Sequence, residues 1–260
     1  MRILPQSDTV GALARVWRSI TRRLEQDCLL CAAPSRHAIL CAPCAADLPR
    51  LRKPFCRRCA RPLAAGAAGA SGGERSASPG AADGNALCGR CLHKPPHYDT
   101  TLAAFHYDFP LDQMVHSFKY GQRLALATFF GQQLAALGDR GLADRIVPLP
   151  LHRERLRERG FNQALELARP VSQEWHIPID AHSCRRTRNT AAQTGLGLRE
   201  RLKNIRGAFA CSTDLSGQRI ILVDDVMTSG ASLNECARTL KLHGAAEIIV
   251  LVVARALPKS

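Results

Sequence analysis

Aromatic side chains are scarce in this chain: Phe, Tyr and Trp make up 5% of its 260 residues. Few bases could stack on such a surface, so a nucleic-acid partner would have to be held mainly by its phosphates. Phe55, His93, Tyr98 and Tyr107 are the candidate stacking residues. Acidic residues are also short, 22 Asp and Glu against 36 Lys and Arg, for a net charge of +14. The imbalance is steepest at the front, where residues 1–62 hold twelve Lys or Arg and four Asp or Glu. Such an excess points to a polyanion, either nucleic acid or a phosphorylated ligand. Heavy use of Arg throughout a genome would give the same total.

Two further absences narrow the choice. No run of about 18 apolar residues occurs, so neither a membrane-spanning helix nor stable membrane insertion is expected. The first residues lack an apolar core ahead of a small-residue cleavage site, so a cytoplasmic protein without an export signal is expected. Residues 1–27 instead carry a basic periodic stretch, Val10, Leu13, Trp17, Ile20 and Leu24 with arginines between them. That pattern fits an amphipathic helix better than a transit peptide.

Cysteine is not scarce. Eight of the eleven form C-x-x-C pairs: Cys28–Cys31, Cys41–Cys44, Cys56–Cys59 and Cys88–Cys91. Each pair aims two sulfurs at one point, and two pairs close a tetrahedron around Zn²⁺. Eight thiolates supply two complete structural sites, with no position left open for catalysis. Disulfides are the alternative, disfavoured without an export signal. Nine residues separate the first two pairs and 28 the last two, so sequential pairing is favoured while interleaved pairing stays open. Cys184, Cys211 and Cys236 read as packing residues.

The organisation that follows is three segments: 1–27; a cysteine region, 28–95, with a flexible Ala/Gly/Ser-rich insertion at 62–86; and a larger domain, 96–260. Within the last, Leu111, Met114, Val115 and Phe118 share one helix face. A further helix is expected over about 123–138. Strands are expected at 98–107, 146–150, 177–181, 207–211, 220–223 and 247–254. A helix is expected over 162–175, with Pro170 kinking or dividing it, and another over 233–243. Strands alternating with helices predict an α/β fold around a parallel sheet, with its ligand at the carboxyl ends of the strands.

The stretch "IILVDDVMTSGAS", Ile220–Ser232, carries the chemistry. A buried strand hands over to a helix through a loop of small and hydroxyl residues. Ser232 with Glu235 reads as a capping box. Exposed N–H groups and the helix dipole favour an anion there. Gly230 admits close approach, and Thr228, Ser229 and Ser232 add hydroxyl donors. A phosphate monoester fits, although the G-x-x-x-x-G-K spacing of a nucleotide P-loop is missing. Asp224 and Asp225 suit the cis hydroxyls of a sugar phosphate or an Mg²⁺ ion, directly or through water. Neighbours on a straight strand face opposite ways, so both reach one ribose only if the chain begins to turn at that point. Arg153, Arg157 and Arg159 follow a strand end, where a pyrophosphate would need positive charge; a solvated basic turn would look the same. Arg201 and Asn204 share a helical face and could reach a ligand.

These residues resemble the phosphoribosyl-pyrophosphate signature of type I phosphoribosyltransferases. "VPLPLHRERLRERGFNQALELA" (Val147–Ala168), "RRTRNTAAQTGLGLRERLKNIRGAF" (Arg185–Phe209) and "LVDDVMTSGAS" (Leu222–Ser232) narrow the resemblance to the ComF family, also called GntX-like. The four cysteine pairs match that family's double zinc ribbon, and Lys119 in "HSFKYG" its lysine after the first helix.

The resemblance implies an α/β type I phosphoribosyltransferase domain behind a small zinc-ribbon domain. It implies Asp224 and Asp225 at the ribose hydroxyls, and Met227, Thr228, Ser229, Gly230, Ala231 and Ser232 around the 5′-phosphate. Leu149, Pro150, Leu151, His152 and Arg153 would form the pyrophosphate loop. Segment 187–204 would be a mobile hood, and Lys119, Arg159, Asn162, Gln163, Arg201 and Asn204 further ligand contacts. Zn²⁺, Mg²⁺, phosphoribosyl pyrophosphate, single-stranded DNA and a competence helicase are the implied cofactors and partners. Two functions follow: a DNA-binding protein of natural competence with a phosphoribosyl site, which is favoured, or a phosphoribosyltransferase acting on an acceptor the sequence does not identify.

Overall fold

The computed structural model describes residues 25–36, 38–63, 86–121, 123–189 and 204–257. The amphipathic stretch of residues 10–24, residues 64–85 of the insertion, and Arg201 with most of the expected hood lie outside the described residues. The chain divides after Leu48 into two compact units. In the first, strands β1 (Glu25–Asp27) and β2 (Pro34–Arg36) pair antiparallel, and a short helix α1 (Ala42–Ala46) follows.

The second unit begins at Pro49. Its elements in chain order are α2 (Gly89–His93), β3 (Thr100–His106), α3 (Leu111–Tyr120), α4 (Ala125–Ala135) and β4 (Arg145–Pro148). Then come α5 (Arg153–Arg159), α6 (Gln163–Trp175), β5 (Cys184–Arg186), β6 (Phe209–Cys211), β7 (Arg219–Met227), α7 (Ala231–Leu242) and β8 (Glu247–Arg255). Strands β3, β8, β7 and β4 form a parallel sheet in that order. The two central strands, β7 and β8, are near-continuous Ile, Leu and Val because helices cover both faces. Leu111, Met114, Val115 and Phe118 of α3 are all fully buried, as their spacing predicts. No helix among the described residues is long and apolar enough to cross a membrane.

Three local expectations are corrected. Residues 177–181 form no strand; a single bridge joins Ile179 to Ile146. Strand β6 lies outside the main sheet and pairs antiparallel with β5 as a separate hairpin. Helix α6 runs through Pro170 undivided. Its ring packs on Gly131 of α4, where an added Cβ would stand 2.6 Å from the Pro170 Cγ. The facing helix thus leaves room for the ring, and the packing outweighs the lost backbone bond.

Candidate functional site

The cysteine pairs assemble sequentially. Cys28, Cys31, Cys41 and Cys44 form one group, and Cys56, Cys59, Cys88 and Cys91 the other. Within each, the four sulfurs lie within 4.8 Å of one another. The Cys31–Cys41 and Cys59–Cys88 sulfurs are 3.6 Å apart. A tetrahedral zinc with bonds of about 2.3 Å sets its sulfurs about 3.8 Å apart, so both groups fit the ion. All eleven cysteines are free thiols. A hydrogen bond from the Cys59 thiol lowers the Cys56 pKa to about 4, which favours the thiolate form that a metal binds.

At the carboxyl end of the sheet, the Leu149 N–H donates to the Val223 carbonyl at 2.8 Å. That bond sets the turn after β4 beside the middle of β7, next to Asp224. Asn162 caps α6, accepting from the Ala164 N–H at 3.0 Å, while its own amide donates to the Leu149 carbonyl at 3.3 Å. Arg159 donates to Gln163 at 2.9 Å and stacks on the Tyr120 ring at 5.4 Å. The Gln163 Nε2 is buried with no partner among the described residues. An orphaned donor beside a guanidinium suits an anionic oxygen. His152 caps α5, Pro150 and Leu151 are half-buried, and Arg153 and Arg157 are exposed. Asn204 is exposed as well.

Strand β7 does not end at Val223. It continues through both acids to Met227, with Asp224 in register with Val252. The turn that would bring both carboxylates to one side comes later than expected. Lys119 Nζ of α3 lies 3.0 Å from Asp225 Oδ2. Burial alone would lower the Lys119 pKa, but the charges of Asp225 and Asp224 outweigh it and raise it. Asp224 carries charge toward Arg186 of the hairpin and Cys236 of α7. Burial, then the neighbouring Asp225 charge, push the Asp224 carboxyl up to about 7.

Beyond Met227 the loop is open. Thr228 is exposed, and Ser229, Ala231 and Ser232 are half-exposed. Gly230, at φ 76°, is the N-cap of α7. The first-turn N–H groups of that helix have no carbonyl below them, and the dipole places positive charge there. The expected Ser232–Glu235 capping box does not form. Glu235 instead accepts from the Gly207 N–H at 2.7 Å and from Arg238 at 2.7 Å. With Gly230 already at the cap, Glu235 lies too deep in the helix to return to it.

One residue that anchors this loop carries no signal in the sequence. Arg255, at the end of β8, is 1% exposed. Its Nε donates to the Cys59 carbonyl at 2.7 Å. The two hydrogens of its Nη1 are shared among the carbonyls of Met227, Thr228 and Ala256. A single guanidinium thus ties the second cysteine group to the loop after β7. Tyr98 supports the same loop: an added Cβ on Gly230 would stand 3.3 Å from its hydroxyl.

Comparison with known proteins agrees with this architecture. Residues 24–92 match the double zinc ribbon domain, and residues 163–259 the phosphoribosyl transferase domain. The DNA utilization protein YhgH of Salmonella typhimurium is 34% identical over 239 residues, covering 88% of this chain and 97% of that protein. Its Escherichia coli K12 counterpart is 36% identical over 177 residues, 65% of this chain and 78% of that one. Competence protein F of Haemophilus influenzae is 32% identical over 179 residues, again 65% and 78%.

Proposed function

We propose, from the premise that this chain belongs to the ComF family, that it binds a phosphoribosyl ligand and single-stranded DNA and serves DNA uptake in competence. The stretch from Met227 to Ser232, which joins the end of β7 to the first turn of α7 through the open loop at Thr228–Gly230 and follows two carboxylates, carries this reading. Its N–H and hydroxyl donors suit a 5′-phosphate. Asp224 and Asp225 would meet the ribose hydroxyls once ligand binding turns the chain at this point, since strand neighbours face opposite ways, and the pair would hold Mg²⁺ directly or through water. The turn at Leu149–Arg153, together with Lys119, Arg159 and Gln163, would hold the pyrophosphate. Phosphoribosyl pyrophosphate or a related sugar phosphate is the expected ligand. Zinc in the two cysteine groups would keep the ribbons folded. DNA would be held by basic surface, since aromatics are few. A cytoplasmic location and a competence helicase as protein partner complete the proposal.

Titration calorimetry with phosphoribosyl pyrophosphate, with and without Mg²⁺, tests the ligand. Binding that disappears in an Asp224→Asn, Asp225→Asn double variant supports the reading. Equal binding by that variant refutes it. Oligonucleotide affinity should fall steeply with salt, and a salt-insensitive affinity counts against DNA binding.

A second reading is favoured by the cationic cluster of Lys119 and Arg159 next to the acids. These groups could stabilise a departing pyrophosphate. An acceptor N–H or O–H would form a bond to the sugar C1 while the C1–O bond to pyrophosphate breaks. The acceptor proton would pass to solvent. Pyrophosphate release on adding an acceptor separates an enzyme from a binding protein.

A further inference from the structure

A cavity of about 360 Å³ lies between the second cysteine group and α7. Asp224, Asp225 and Lys119 do not line it. Six cationic side chains do: Arg61, Arg90, Lys94, Arg206, Arg238 and the buried Arg255. The one carboxylate among the lining residues, Glu235, is already committed to Arg238 and Gly207. Setting against the cations this carboxylate and the two net negative charges of a zinc tetrathiolate still leaves three positive charges in excess. Arg61 adds a second sign of incompleteness. Its Nε is buried with no partner among the described residues. Arg61 and the fully buried Arg255 line the same space, so two guanidinium groups sit together there at a desolvation cost. A half-open space with this excess of positive charge, part of it buried, favours an anion.

Size and position narrow the choice. A space of 360 Å³ is at the small end of ligand sites and cannot take a duplex, whose major groove alone is about 12 Å wide. It shares Ser229, Gly230 and Ala231 with the sugar-phosphate loop, on the side of α7 that carries Asn234, Glu235 and Arg238. We propose that this cavity is a second phosphate site, separate from the sugar-phosphate seat, and that it takes the phosphodiester backbone of single-stranded nucleic acid. The proposal rests on the nucleic-acid reading above for the source of the phosphate. A strand held there has its backbone next to the ribose seat, because Ser229, Gly230 and Ala231 border both.

The test uses the full-length zinc-loaded chain and a fluorescent 20-nucleotide oligo(dT), read by anisotropy across a salt series. The variant is Lys94→Glu with Arg206→Glu. Both side chains are exposed, so folding should survive. A control variant, Arg140→Glu with Arg169→Glu, makes the same charge change outside the cavity. The cavity variant should lose tenfold or more in affinity, and its salt slope should fall by about 1.4, for two phosphate contacts. The control should change affinity by less than threefold, and phosphoribosyl pyrophosphate should bind both variants as it binds the parent. If the parent binds the oligonucleotide but the cavity variant binds it equally, or no worse than the control, the cavity assignment fails and the DNA reading stands. If the parent itself does not bind, both fall.

Discussion

Replacing Arg255 with methionine gives the most direct measure of how the metal region supports the ligand loop. Arg255 is fully buried, and three of its N–H donors serve four carbonyls, those of Cys59, Met227, Thr228 and Ala256. Methionine is unbranched and apolar, about two atoms shorter, and removes the charge together with the donors, so no lone buried cation is left behind. The loss is then the hydrogen bonds, at about 1.5–3 kcal/mol each when charge-assisted, less the desolvation that burying the guanidinium costs. Thr228 is exposed, so water can replace one bond. About 3 kcal/mol of destabilisation remains, within the range for disrupting a buried network. For a unit of this size that lowers Tm by about 6–12 °C. Thermal denaturation by circular dichroism, at saturating zinc, reads the shift. Calorimetry with phosphoribosyl pyrophosphate should show weaker binding at temperatures where the variant is still folded, because the Met227 and Thr228 carbonyls no longer have a fixed anchor. Arg255→Lys keeps the charge but cannot span from Cys59 to Thr228, so it should fall between the two. A Tm within 2 °C of the parent, with unchanged ligand affinity, would refute the clamp.

Other perturbations test separate links. The Asp224 carboxyl, raised to about 7 against an unfolded value near 3.9, keeps its proton in the native state where the unfolded chain has lost it. Ligand-free stability should therefore decline as pH rises between about 4 and 7, and Asp224→Asn should remove that decline in denaturant melts. Affinity for the Mg²⁺-bound sugar diphosphate should run the other way, rising with pH as Asp224 ionises, with a flat profile in the Asn variant. Cys44→Ser should remove one of two zinc equivalents, measured by atomic emission, and leave ligand binding unchanged, since that group belongs to the unit ending at Leu48. Cys88→Ser should remove the other equivalent and weaken the ligand, because Cys59 in the same group anchors Arg255. Gly230→Ala meets a positive φ of 76° and a Met227 Cε 2.9 Å away, so a loss of about 1–2 kcal/mol is expected in denaturant melts.

Sequence reasoning succeeded where the determinants are local. The face of Leu111, Met114, Val115 and Phe118 needs only helical period, and the strands at 220–223 and 247–254 only a run of branched apolar residues. The cysteine groups were legible because spacing and ligand chemistry restrict the outcome to a few pairings. Failures arose where a distant partner decides. Pro170 breaks an isolated helix, but Gly131 on another helix provides the recess that accepts its ring. Ser232 and Glu235 have capping-box spacing, but the Gly207 N–H, 28 residues away, takes the Glu235 carboxylate. Arg255 reads as the polar end of a strand, yet its acceptor Cys59 lies 196 residues earlier. That last separation has a functional consequence. The ribbon region and the ligand loop are coupled through one buried side chain rather than through a continuous stretch of sequence. Loss of metal at the second cysteine group is therefore expected to weaken binding at the proposed sugar-phosphate site without any change in the loop's own residues.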